Sequence, residues 1–168
     1  MAPKAPAANS DEIKYFTMKV VGGEVTPAAA LAPKTSPLGL QPKVVGEAIQ
    51  KATPNWKGVK IQIEVAVQNR QPTVRVIPTA TPLIIEALKA TGRDRKKTKN
   101  PSYAGNIKLD DVLRIAKVMR DAKKSLSRDI TGTCKEIIGT CVSLGCTIDG
   151  KSAKEMTTLI NKGEVKCQ

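Results

Sequence analysis

The sequence predicts an α+β protein in two parts: an N-terminal α+β domain of order β-α-β-β-α, joined by a basic hinge to a C-terminal three-helix domain. Three observations carry this. Residues 59–67 alternate apolar and polar with a strand's period of two. Beyond residue 108 the apolar residues recur at helical spacing instead. Between them runs TGRDRKKTKNP (91–101), with five cations, one acid and nothing apolar larger than a proline ring, so it buries no surface by itself. The expected organisation is a flexible tail over 1–12, an N-terminal α+β domain over 13–90, a basic hinge over 91–107 and a helical domain over 108–168.

The tail, MAPKAPAANS, has no apolar signal core, so secretion is not expected. Ile13–Val21 alternates as a strand and stops at Gly22-Gly23. Pro27, Pro33, Pro37 and Pro42 then stand too close for a continuous helix, which predicts an ordered surface loop. Pro42 suits the first turn of a helix over 42–52 with Val44, Val45, Ala48, Ile49 and Ala52 on one face. Trp56-Lys57-Gly58 turns the chain into Val59–Val67, and Gln68–Gln71 turns it again into Thr73–Ile77, an antiparallel pair. A helix over 81–90 buries Leu83, Ile84, Ala87 and Leu88. In the second half, helices are expected over 109–122 and 127–144, the first with Asp110 and Asp111 at its positive end, the second stopped by Gly145. Cys146–Ile148 reads as extended, Asp149-Gly150 as a turn, and Ser152-x-x-Glu155 as a capping box for a last helix ending near Gly163.

Charge narrows the function. The net charge of +13 points to a polyanionic partner. It is concentrated: residues 89–108 hold seven cations and one acid, nearly half the excess. The chain lacks histidine, which removes the commonest general base and the commonest metal ligand. No C-x-x-C pair occurs among Cys134, Cys141, Cys146 and Cys167, so no metal or cofactor is expected, and Cys134 and Cys141 read as small hydrophobes in a reducing setting. No apolar run has membrane-spanning length, and neither a dinucleotide fingerprint nor a phosphate loop is present. An enzyme is therefore not expected.

On the helix over 127–144, Cys134, Ile137, Ile138, Cys141 and Leu144 form the core stripe, while Lys135, Glu136, Gly139, Thr140 and Ser143 fall opposite. A glycine in mid-helix costs about 1 kcal/mol against alanine. Either it relieves crowding against a neighbouring helix, or it lets a partner's backbone approach, with the hydroxyls bonding phosphate or ribose oxygens. Duplex DNA is a rival partner, since three helices and a basic arm outline a homeodomain, but the face lacks the Asn, Arg and Gln that read base edges.

The runs ALAPKTSPLGLQP, IQIEVAVQNRQP, RDRKKTKNPSYAGN and KEIIGTCVSLGC, in that order, resemble the eukaryotic and archaeal branch of the ribosomal protein L-eleven family. The resemblance covers the chain after its tail. It implies a non-catalytic constituent of the large ribosomal subunit at the stalk base, whose C-terminal domain grips the rRNA of the GTPase-associated centre. The implied RNA-binding residues are Arg93, Arg95, Lys96, Lys97, Lys99, Asn100 and Asn106 in the hinge, with Lys135, Gly139, Thr140 and Ser143 on the helix. It further implies an N-terminal domain facing translation elongation factors and the acidic stalk-base protein, and a loop at Pro33, Pro37, Leu38 and Gly39 where thiazole antibiotics bind in bacterial members. The spacing between Pro27 and Pro37 departs from the bacterial one, so antibiotic sensitivity does not transfer. Lys108 stands where relatives often have a capping threonine. A cytoplasmic place in the ribosome follows, with nucleolar assembly for a eukaryotic member.

Overall fold

A computed structural model describes residues 13–69, 71–90, 103–165 and 167. Its first part is a three-stranded antiparallel sheet, β1 (Lys14–Val21), β2 (Lys60–Gln68) and β3 (Gln71–Ile77), with β2 in the middle. The alternation of β2 sets the register: Ile61, Ile63, Val65 and Val67 all point to one face and are buried. Two helices, α1 (Ala28–Thr35) and α2 (Pro42–Ala52), cover that face with Leu31, Val45 and Ile49, all fully buried.

Helix α1 corrects the expected surface loop, and the order of the first part becomes β-α-α-β-β-α. Three of the four prolines sit where a missing N–H is tolerable. Pro27 precedes the helix, Pro37 lies in a 3-10 turn over Ser36–Leu38, and Pro42 opens α2. Only Pro33 is inside α1, at the cost of one backbone bond. Burial of Leu31 and the bond from Thr35 Oγ1 to Leu31 O (3.1 Å) hold the turn nonetheless. At the end of α2 the buried Thr53 hydroxyl donates to Ile49 O (2.8 Å) and accepts from Gly23 N (3.1 Å), tying the helix to the end of β1.

The second part is built on α4 (Leu109–Asp121), α5 (Ile130–Leu144) and α6 (Ala153–Lys162), the three expected helices. Val112, Ala116, Cys134, Ile137, Ile138 and Cys141 are fully buried where they meet. The expected capping box is present: Glu155 N donates to Ser152 Oγ and Ser152 N to Glu155 Oε2, both at 3.2 Å. Lys108 caps nothing with its side chain. The carboxylate of Asp149, forty residues on, accepts from Leu109 N (3.3 Å) instead. The extended segment expected at 146–148 is β5 (Thr147–Ile148), but its pairing into a small sheet with β4 (Asn106–Ile107) and β6 (Lys151–Ser152) was not expected. The two-residue strands β4 and β6 carry no readable period. Asp149 and Gly150, at φ 48° and 76°, form the turn between the last two, both positive as a type I′ hairpin requires.

Helix α3 (Ala80–Ala87) lies between the two parts. Ile84 enters the helical core together with Ala80, Leu83, Ala87 and Leu88, whereas Ile85 enters the core under the sheet. Tyr103 packs against both cores.

Candidate nucleic-acid interface

Helix α5 presents two unlike sides. Inward are Cys134, Ile137, Ile138 and Cys141, none with accessible surface. Outward are Glu136, Gly139 and Ser143, exposed, with Lys135 and Thr140 partly so. A Cβ built on Gly139 meets no described atom within 4 Å. Crowding among the described residues therefore does not explain the glycine. What remains is an open strip of helix backbone, flanked by two hydroxyls.

Those hydroxyls are already committed as donors. Thr140 Oγ1 donates to Glu136 O (3.1 Å), and Ser143 Oγ donates to Thr140 O (2.7 Å). Each oxygen keeps lone pairs for an incoming donor. The strip is thus lined with acceptors and suits a ribose 2′-OH or a base amino group; a phosphate would first have to turn the hydroxyls. A 2′-OH is the group that distinguishes RNA from DNA.

Arg93, Arg95, Lys96, Lys97, Lys99 and Asn100 lie outside the described residues. Tyr103, the first described residue after them, donates its N–H to Leu144 O (2.9 Å), next to Ser143. Asn106 serves the fold itself. Its Oδ1 accepts from Gly150 N (2.9 Å) and from Thr147 Oγ1 (3.3 Å), joining β4 to the β5–β6 turn. Pro33, Pro37 and Gly39 are exposed on the first part, with Leu38 half-buried against the sheet core.

Catalytic chemistry finds little support here. Burial pushes the Cys134 and Cys141 thiols up to about 12, and each is raised further by a neighbouring thiol, Cys167 and Cys146 respectively. Such thiols stay protonated and inert at neutral pH. Among the described residues no three His, Cys, Asp or Glu side chains gather as a metal set, and no helix is long and apolar enough to cross a membrane.

Sequence reasoning missed the loop between α4 and α5. Ser125 Oγ donates to Glu136 Oε2 (2.9 Å) and lies 2.8 Å from Thr133 Oγ1, so the loop is fastened to the outward side of α5. The available signal was Gly132, in the first turn of α5 yet without a turn to make: a Cβ there would fall 1.9 Å from Ser127 Oγ.

A basic chain with an acceptor-lined, backbone-exposing helix face on a helical domain is, by class, a nucleic-acid-binding protein suited to RNA. Comparison with known proteins makes this particular. Residues 16–71 match the family model of the ribosomal protein L11 N-terminal domain, and residues 76–148 that of the ribosomal protein L11 RNA binding domain. Large ribosomal subunit protein uL11x of Arabidopsis thaliana is 49% identical over 161 residues, 95% of this chain and 96% of its own. The uL11A proteins of Saccharomyces cerevisiae and Schizosaccharomyces pombe are 48% and 47% identical, each match covering 96% of both chains. The chain belongs to the ribosomal protein L11 family. The match to the RNA binding domain begins ahead of α3 and ends with β5, and so contains the whole of α5. Family membership supersedes the DNA-regulator reading.

Proposed function

We propose that this chain binds large-subunit rRNA through the outward face of α5 and holds the GTPase-associated centre in its folded form at the stalk base. As a member of its family it is a structural, non-enzymatic constituent of the large ribosomal subunit. The observation that carries the binding mode is the open Gly139 strip, with no described atom within 4 Å of an added Cβ and acceptor hydroxyls beside it. RNA is recognised largely by shape, backbone and 2′-OH contacts, which such a strip offers. The hinge cations supply the long-range attraction, and five phosphate contacts give a log–log salt slope of about −4 to −5.

The first part plays the second role. Its exposed segment with Pro33, Pro37, Leu38 and Gly39 faces translation elongation factors, and the acidic stalk-base protein docks nearby. α3 and Tyr103 bridge the two cores and hold this part against the helical one, and the basic run serves as an RNA contact. Nucleolar assembly precedes its place in the cytoplasmic ribosome.

Gly139→Arg tests the binding mode. The new side chain meets no described atom and arginine favours helix over glycine, so the melting temperature should not fall, while affinity for a transcribed GTPase-centre rRNA fragment should fall about 100-fold, roughly 2.7 kcal/mol. Equal, salt-sensitive affinity of the wild type for that fragment and for duplex DNA would sink the proposal, as would undiminished binding by the variant.

A further inference from the structure

The sheet of the first part has two outer edges, β1 and β3, with β2 between them. Gly22 N donates to Val59 O (2.9 Å), which fixes the phase of the β1–β2 ladder. The even-numbered residues of β1 therefore bond β2, and Tyr15, Thr17 and Lys19 turn their N–H and C=O groups outward. Lys34 agrees with this phase, because its ammonium, reaching over from α1, donates to Thr17 O. On the far side of β2 the same phase turns Pro72, Val74 and Val76 of β3 outward, and Pro72 has no N–H to offer. A proline thus blunts the β3 edge. The β1 edge carries a guard of another kind. A lysine laid across a strand edge deters a neutral strand, whose arrival would displace the ammonium, but a carboxylate on the incoming strand draws that ammonium to itself.

We infer that the outer edge of β1 takes an extended acidic segment of another protein as a fourth strand. Charge complementarity selects this occupant. Lys14, Lys19 and Lys34 are exposed along the edge, and neither β1 nor α1 contains an acid. The carboxylate one strand further in, Glu64, has Arg75 opposite it on β3. The two faces of β1 then set the pattern of the segment. On the core side Phe16 and Met18 are only half-buried at the margin of the sheet core, so apolar residues of the added strand complete their cover. On the open side Tyr15, Thr17 and Lys19 are exposed, and acids there stand beside the lysine. The segment therefore alternates apolar and acidic residues. Main-chain bonds hold it, and the alternate side chains select it. The inference uses no residue of α5 or of the basic hinge and is independent of the rRNA reading.

The test titrates the full-length chain with a short capped peptide of alternating valine and glutamate, and with a valine–lysine peptide as control. Binding of the acidic peptide should slow amide exchange at Tyr15, Thr17 and Lys19, the outward N–H groups of β1. Lys34→Glu should weaken that peptide about tenfold, since carboxylate then meets carboxylate, and should leave affinity for the transcribed GTPase-centre rRNA fragment within about twofold. Thr17→Pro removes an outward N–H without touching the β1–β2 ladder and should also weaken the peptide about tenfold. Lys34→Glu changes only an exposed side chain and keeps the test decisive if the strand rejects the proline. Absence of peptide binding, equal binding of the valine–lysine peptide, or protection confined to other amides would overturn the inference. So would a large loss of rRNA affinity in Lys34→Glu, which would make the edge an RNA contact, or a dimer of the free chain through β1 that the acidic peptide leaves intact.

Discussion

Replacing Gly139 by alanine should make the protein more stable and a poorer RNA binder. The stability side follows from two numbers. In a helix interior alanine is favoured over glycine by about 1 kcal/mol. The added methyl meets no described atom within 4 Å, so no steric cost among the described residues opposes that gain. For a chain of this size 1 kcal/mol corresponds to about 2–4 °C in melting temperature. On the binding side, the methyl stands on the strip where the RNA backbone is to lie, and about tenfold in affinity, near 1.4 kcal/mol, is expected to be lost. Both quantities come from one preparation: a thermal melt without RNA, since ligand would itself raise the transition, and a titration with the rRNA fragment at fixed salt. The opposite signs are the diagnostic. A lower melting temperature would mean that an unseen neighbour crowds the site and that the glycine is structural. A higher one with unchanged affinity would mean that nothing approaches the strip.

Three further outcomes are expected. Asp149→Ala removes the distant cap on α4 and should cost about 1 kcal/mol in urea unfolding, while Asp149→Asn, still able to accept from Leu109 N and to hold the positive φ, should cost less; equal losses would discount the cap. Changing Lys96, Lys97 and Lys99 to glutamine should lower the salt slope of rRNA binding by about 2 to 3, and an unchanged slope would remove the hinge from the phosphate contacts. The buried thiols add a pH dependence. Their folded values, about 12, lie above the ordinary 9, so the unfolded chain loses protons first and stability falls as pH rises from about 9 to about 12. A Cys134→Ala, Cys141→Ala variant should lose less over that window than wild type, and parallel curves would contradict the assignment.

Much of the fold is legible because its elements are long and half-buried. The nine residues of β2 cannot slip by one without turning four buried side chains to water, and α5 writes its core stripe at Cys134, Ile137, Ile138 and Cys141. What escaped reading depends on partners distant in the chain. Pro33 is survivable in α1 only because Leu31 is buried on the sheet, a fact absent from local propensity. The two-residue strands exist because Asn106 reaches Gly150, forty-four residues on. The site divides the same way. The open face of α5 could be drawn from helical geometry, since a wheel needs one helix only. The donor commitment of Thr140 and Ser143 and the structural use of Asn106 required coordinates, because each depends on which atom a polar group has found.

Ile84 and Ile85 are neighbours in sequence and belong to different cores. This governs how the chain tolerates being cut. A fragment ending at residue 90 retains Ile85 for the sheet but bares Ala80, Leu83, Ile84 and Ala87, an adhesive surface that invites aggregation. A cut between β3 and α3 instead leaves the helical part whole and deprives the sheet core of Ile85, Ala90 and Tyr103. Synthesis from the N-terminus meets the first situation in time: the sheet can close early, yet α3 must remain half-satisfied until α4 and α5 have followed.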